Sequence, residues 1–182
     1  ERRERIVQEL FKLPNGRWQA KIERALQEPN LLLEQDTMRE ITKILQINVR
    51  VASSLGTPYI SQLGVIYERM LQVYKMYSEQ ISQAVAGNAL SAKTSGVRLM
   101  RAVKRETLRL IETTVDKSEE MHRIVAQVVP PLVDYVLTDY QNNHPETRDP
   151  EVLSVFAAII RKAGDSITDQ VPRILGAVFE CT

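Results

Sequence analysis

The chain has 182 residues, with Lys+Arg 24 against Asp+Glu 23 and a formal charge of +1. So even a balance argues against a dedicated nucleic-acid binder, which carries a clear basic excess. A single cysteine, Cys181, excludes an intrachain disulfide and reads as a cytosolic or nuclear protein. No apolar run approaches the ~18–20 residues of a membrane span, and the opening "ERRERIVQEL" lacks a signal-peptide apolar core.

Residues 3 to 13 read as the tail of a helix that Leu13-Pro14 stops, because proline disfavours a helical residue before it. A second helix is expected over about 16 to 27, with Trp18, Ile22, Ala25 and Leu26 on one face and Pro29 closing it. The next opens near "QDTMRE", with Asp36 or Thr37 as cap and Thr37 with Glu40 at capping-box spacing. Its Ile41, Ile44, Leu45, Val49, Ala52 and Leu55 keep the 3.6-residue period, and Gly56 is placed as its C-terminal glycine. Thr57 as N-cap and Pro58 at the first helical position start a long helix. Its stripe is Ile60, Leu63, Tyr67, Met70, Tyr74, Tyr77 and Ile81, and it runs to about Ala86.

After the loop "AGNALSAKTSG" a helix is predicted from about 96 to 115. Ser118-Glu119-Glu120 caps another, which either ends at Pro130-Pro131 or kinks there and continues to about Asn142. Beyond the loop "NNHPETRD", Asp149-Pro150-Glu151 starts a helix ending at Ala163-Gly164. Thr168-Asp169 caps the last one, with Pro172 in its first turn. The class is all-α.

A repeat runs through this pattern. Pro130 aligns with Pro172 at an offset of 172 − 130 = 42, bringing Val129 onto Val171, Leu132 onto Ile174 and Val136 onto Val178. A looser copy starts at Pro58. Two helices per ~40–47 residues is the signature of HEAT or armadillo repeats. The expected fold is a HEAT-repeat α-solenoid, a right-handed superhelix of antiparallel helix pairs. Pairs are expected at 14–56, 57–116 and 118–164, with partial repeats at 1–13 and 165–182, as in a segment of a longer solenoid. An apolar stripe such as Val152, Leu153, Val155, Phe156, Ile159, Ile160 and Ala163 is too broad for one pair to bury, so each pair leans on the next.

Catalytic chemistry finds no support. His122 and His144 lack partners at metal spacing, and no phosphate loop or Gly-x-Ser-x-Gly is present. No cofactor or metal is expected. Cys181 reads as a packed thiol, and Tyr67, Tyr74 and Tyr77 as packing aromatics. The one distinctive surface is basic: Arg98, Arg101, Arg105 and Arg109, spaced 3, 4 and 4 along one helix face, with Lys104 flanking them. Three readings stay open: a solvated face, a basic ladder facing an acidic partner, or a nucleic-acid contact. The last lacks interleaved aromatics.

The stretches "NVRVASSLGTPYISQLGVIYERMLQVYKMYSEQIS", "RLMRAVKRETLRLI", "VPPLVDYVLTDYQ", "DPEVLSVFAAII" and "AVFECT" resemble the exportin-one family, the chromosome region maintenance exportins of the importin-beta superfamily. The similarity runs from "LPNGRW" onward, and "VKRETL" with "VFECT" at their separation is its most specific element. The resemblance implies a ring-like stack of HEAT repeats whose first helices face outward and second helices inward. It also implies a non-enzymatic receptor for leucine-rich export signals, shuttling between nucleus and cytoplasm. Such a receptor binds cargo together with the GTP form of the small GTPase Ran, and passes the pore on phenylalanine-glycine nucleoporins. The segment would lie in the middle-to-C-terminal part of the ring.

The family's export-signal groove with its reactive cysteine, and its acidic Ran-contacting loop, have no counterpart here; Cys181 is not that cysteine. What carries over is an inner position for Arg98, Arg101, Lys104, Arg105 and Arg109, and outer grooves such as 58–86 against 130–142 for pore-repeat contacts. A HEAT scaffold of another assembly, such as a regulatory subunit, is the alternative.

Overall fold

A computed structural model describes residues 2–180. Cys181, assigned above to core packing, lies outside the described residues. Among those described, every regular element is helical: α1 (Arg2–Gln27), α2 (Pro29–Leu32), α3 (Gln35–Leu55), α4 (Ile60–Gly87), α5 (Ser95–Lys117), α6 (Met121–Gln127), α7 (Val129–Leu132), a π-type stretch Val133–Leu137, α8 (Thr138–Asn142), α9 (Glu151–Ala163) and α10 (Val171–Phe179).

These elements form two layers that advance side by side. One layer holds α1, then α4, then the broken helix α6–α8 with its π-type stretch, then α10. The other holds α3, α5 and α9 in the same order. The core runs along the plane between them. On α4 the predicted stripe is buried throughout, from Ile60 through Tyr67, Tyr74 and Tyr77 to Ile81. On α5, Leu108, Leu110, Ile111 and Val115 are wholly inaccessible, because α3, α4 and α9 flank that helix. At ~1.5–3 kcal/mol for each large apolar side chain removed from water, this lateral packing dominates the stability of every helix in the row.

Pro14 does not stop α1. Val7, Phe11, Trp18, Ile22 and Ala25 form one buried stripe that runs straight past it. Pro14 and Leu10 both lie on the solvent side of the helix, and the proline has no N–H to donate to the Leu10 carbonyl. Continuous burial of five apolar residues outweighs the ~3 kcal/mol of an interior proline. Across the helix, Asn15 and Gln62 exchange amide hydrogen bonds of 2.8 and 2.7 Å, which ties α1 to α4.

Several expected caps are absent because those side chains serve elsewhere. α3 begins at Gln35 without a side-chain cap: Asp36 accepts from Arg39 at 2.8 Å, and Thr37 is packed inside the first turn. Thr57 does not cap α4. A 3-10 turn over Thr57–Tyr59 leads in, and the Thr57 hydroxyl accepts the Glu119 N–H at 2.9 Å, bridging to the next pair. Ser118 accepts from the Glu120 N–H at 3.1 Å, ahead of α6. Thr168 and Asp169 do not cap α10, which starts at Val171 behind Gln170; Thr168 instead donates to the Asp165 carbonyl at 2.7 Å.

At Pro130-Pro131 the helix kinks and continues. The prolines supply no N–H to the Ala126 and Gln127 carbonyls, so the α-helix breaks at Val128 and resumes at Val129. Tyr67 donates to the Val128 carbonyl at 2.7 Å and holds the joint against α4. A π-type widening over Val133–Leu137 follows, with Thr138 donating its hydroxyl to the Val133 carbonyl at 3.3 Å.

Gly56 and Gly164 end α3 and α9 with φ of +66° and +50°, the left-handed region that glycine enters without a Cβ clash. At Gly164 a Cβ would meet open space, whereas at Gly56 it would lie 3.1 Å from the Lys117 carbonyl oxygen. Gly164→Ala is therefore expected to cost about 1–3 kcal/mol of backbone strain. Gly56→Ala is expected to cost more and to loosen the α3–α5 contact, which denaturant titration of the two variants side by side will measure.

Candidate partner-binding face and the polar cluster beneath it

The predicted basic ladder lies on α5, the middle helix of the second layer, and the structure divides it. Arg98, Arg105 and Arg109 are exposed, and Arg98 and Arg105 have no side-chain partner among the described residues. Arg101 is half-buried and donates from Nη2 to the Glu146 carbonyl at 2.7 Å, which fastens the loop before α9 onto α5. Glu106 stands between the arginines. Its Oε1 accepts from Gln46 of α3 at 3.3 Å and lies 3.9 Å from Arg109 Nη1.

Lys104 is not part of this face. It is 1% exposed and points into the plane between the layers. Its ammonium lies 2.9 Å from Asp149 Oδ2, donates to Ser78 Oγ at 2.9 Å and is 4.7 Å from the Tyr74 ring centroid. Ser78 is the hub of the cluster. It also accepts from Asn143 Nδ2 at 2.6 Å and donates to Asp139 Oδ2 at 2.5 Å. The cluster joins α4, α5, α8 and the loop before α9, so it locks one helix pair to the next. Burial pushes the Asp139 carboxyl above the usual carboxylate range, against the Ser78 hydrogen bond and the Lys104 charge that favour ionisation. Burial likewise pushes up the phenols of Tyr59, Tyr67 and Tyr77. Each donates its hydroxyl inside the fold, Tyr59 to Asn48 Oδ1 at 2.8 Å and Tyr77 to the Leu32 carbonyl at 2.7 Å.

Two grooves flank these elements. In the first layer, a groove of about 400 Å³ between α4 and the α8 region is walled by Lys75, Glu79, Asp134, Tyr135 and Asn142. It has formed where the π-type stretch widens the helix. In the second layer, a groove of about 460 Å³ crosses α3, α5 and α9, walled by Thr42, Gln46, Arg105, Glu106, Arg109 and Glu151. Burial, then the charge of Asp116, raises the pKa of Glu112 at its edge. No group of three or more His, Cys, Asp or Glu among the described residues is arranged to hold a metal ion.

Helix pairs stacked laterally in two layers, with a charged groove crossing consecutive pairs, define the chain as a HEAT-type α-solenoid. Comparison with known proteins narrows this: the chain belongs to the CRM1 C-terminal family, whose description reads "CRM1 C terminal" and whose model matches residues 62–182. It is 48% identical over 183 residues to Protein EXPORTIN 1B of Arabidopsis thaliana and 45% identical over 183 residues to Protein EXPORTIN 1A of the same plant. It is 38% identical over 179 residues to Exportin-1 of Drosophila melanogaster. These alignments take in 97% to 100% of the chain but 17% of each relative, so the chain spans about one-sixth of their length.

The buried cluster makes an opposed pair of expectations. Lys104→Met leaves Asp149 buried without its counter-charge and is expected to destabilise by about 3–5 kcal/mol. Asp139 behaves in the other sense. Its folded-state pKa is raised, so its contribution to stability is full below the unfolded value of ~3.9 and is lost as pH rises through the folded value. Asp139→Asn is therefore expected to be as stable as the parent or more so at neutral pH, and to flatten the stability profile above pH ~4. Urea titrations of both variants across pH 4 to 8 will check this.

Proposed function

We propose that the chain is a segment of a nuclear export receptor. That receptor takes up export-signal cargo together with the GTP form of Ran and carries it through the pore on phenylalanine-glycine nucleoporins, moving between nucleus and cytoplasm. The observation that carries this reading is the match of 97% to 100% of the chain to 17% of the length of exportin-1 proteins, combined with the lateral two-layer stack. The segment's work is mechanical and recognitional, without catalysis: helix pairs that share a core flex as a unit, so events elsewhere on the receptor are coupled through them. Arg98, Arg101, Arg105 and Arg109 line an inner, partner-facing surface in this proposal, with Arg101 bracing the loop before α9 and Lys104 supporting from beneath. The α4–α8 groove with Tyr135 takes pore-repeat phenylalanines.

A chimera tests the reading. This segment is placed in the corresponding position of Drosophila Exportin-1, and nuclear clearance of a reporter carrying a leucine-rich export signal is followed. Retained export is expected, and loss of export with normal chimera abundance contradicts the proposal. In the same chimera, Arg98→Glu with Arg105→Glu and Arg109→Glu is expected to weaken the assembly with cargo and GTPase by about tenfold, at ~0.2–1 kcal/mol for each exposed charge contact. Binding isotherms at low and physiological salt will measure it.

A further inference from the structure

The sequence holds one Thr-Pro step, Thr57-Pro58, and no Ser-Pro step. Proline directly after a hydroxyl residue is what one class of serine/threonine kinases selects, but such a dipeptide is a weak signal until its surroundings are known. Here it sits in the 3-10 turn between α3 and α4. Thr57 is part-exposed and lines a surface groove of about 370 Å³. The other walls are Arg2, Arg3 and Glu4 of α1, Pro58, and Glu119 and Glu120 of the α5–α6 connection. The Thr57 hydroxyl oxygen accepts the Glu119 N–H at 2.9 Å, and its own O–H donates to no described residue, so that proton is not tied up inside the fold. The charges around it are unevenly used. Arg123 holds both Glu4 and Glu120, at 2.9 and 3.1 Å. Arg2 and Arg3 are exposed and have no ion-pair partner among the described residues. Of the acids on the groove wall, only Glu119 is likewise unpaired, so two free cations stand against one free carboxylate.

We propose that Thr57 is a phosphorylation site for a proline-directed serine/threonine kinase, and that Arg2, Arg3 and the Glu119 N–H receive the phosphate. In the transfer the Thr57 oxygen attacks the γ-phosphorus of a nucleoside triphosphate. The new O–P bond forms as the bond to the β-phosphate oxygen breaks, the hydroxyl proton passes to a base on the kinase, and the nucleoside diphosphate departs. The product carries about −1.5 to −2 charge at neutral pH and three acceptor oxygens. One of them takes over the Glu119 N–H, because the ester oxygen is a weaker acceptor than the hydroxyl it replaces. The others are open to the guanidiniums of Arg2 and Arg3, whose planar forks suit phosphate. Those side chains are exposed and turn toward the phosphate without giving up an ion pair. Glu119 opposes with one carboxylate, but its side chain is exposed and turns to water. Unmodified Thr57 bridges the α3–α4 turn to the α5–α6 connection. The phosphate draws the first turn of α1 into the same joint, so that one modification ties three elements of successive pairs. This inference concerns the joint alone and stands whether or not the surrounding protein is an export receptor.

The test uses the full-length protein that carries this segment, a proline-directed kinase of the mitogen-activated class, ATP and peptide mass spectrometry. Thr57 of the folded protein should be phosphorylated within about tenfold of the rate in a synthetic peptide of residues 50–64, whereas a site reached only by unfolding would lag by roughly a hundredfold or more. Thr57→Ser should keep the modification, and Thr57→Val and Pro58→Ala should lose it while their amide exchange matches the unmodified parent. In the phosphorylated protein, amide exchange over residues 5–11 should slow by about threefold or more, and the gain should vanish at high salt and in Arg2→Gln with Arg3→Gln. Phosphorylation of the peptide alone, phosphorylation that Pro58→Ala leaves unchanged, or exchange over residues 5–11 that is unchanged or faster would overturn the proposal. So would a protection gain that survives the arginine substitutions, because the phosphate would then be held by other groups.

Discussion

The structure depends on one constraint: no helix pair in this chain has enough surface of its own to bury its apolar side chains. Helix α5 makes the point most fully. Its stripe from Val97 through Met100 and Leu108 to Val115 is covered by α4 from the first layer and by α3 and α9 on either flank. Removing any one neighbour would expose several large residues at once. The stability of each pair is then a sum of its own packing and its interfaces with the pairs before and after, as in any quasi-one-dimensional stack.

Polar contacts fix the register that apolar packing alone leaves loose. The Lys104–Ser78–Asp149 cluster joins two successive pairs at depth. Lys162 of α9 closes the C-terminal end of α5 by donating to the carbonyls of Val115, Asp116 and Ser118 at 3.0, 2.6 and 2.8 Å. Arg123 does the same work at one edge, where Glu4 of α1 meets it at 2.9 Å; that bond lowers the Glu4 pKa. Buried pairs add little net stability but are expensive to break, so they oppose sliding more than they oppose unfolding. A stack that bends without losing register is what a flexible receptor needs, and the mixed-charge groove lies across the helices whose spacing that bending would change.

How much of this was legible beforehand depended on distance along the chain. The stripes of α3, α4, α5 and α9 and the turn glycines Gly56 and Gly164 follow from local periodicity and backbone sterics. The offset of 42 residues between Pro130 and Pro172 pointed to lateral stacking before any coordinates. Pro14 misled because a local rule was overridden by burial spread along the whole of α1. The hydroxyls expected at caps misled because Thr57 serves the neighbouring pair. Lys104 was misplaced although a signal existed: four residues from both Met100 and Leu108, it falls within the buried stripe and not on the arginine face. The groove could not be read at all, since Glu106 and Glu151 are 45 residues apart and come to line one groove only through the packing of α5 on α9.

Native-state hydrogen exchange on the Leu108→Ala variant examines shared lateral burial most directly. Leu108 is wholly buried on α5, so the substitution opens a cavity at the centre of the row. If neighbouring pairs hold each other's cores, protection falls together in α3, α4, α5 and α9 and much less in α1 and α10. A fall confined to α4 and α5 would show that a helix pair is self-sufficient and would contradict the account.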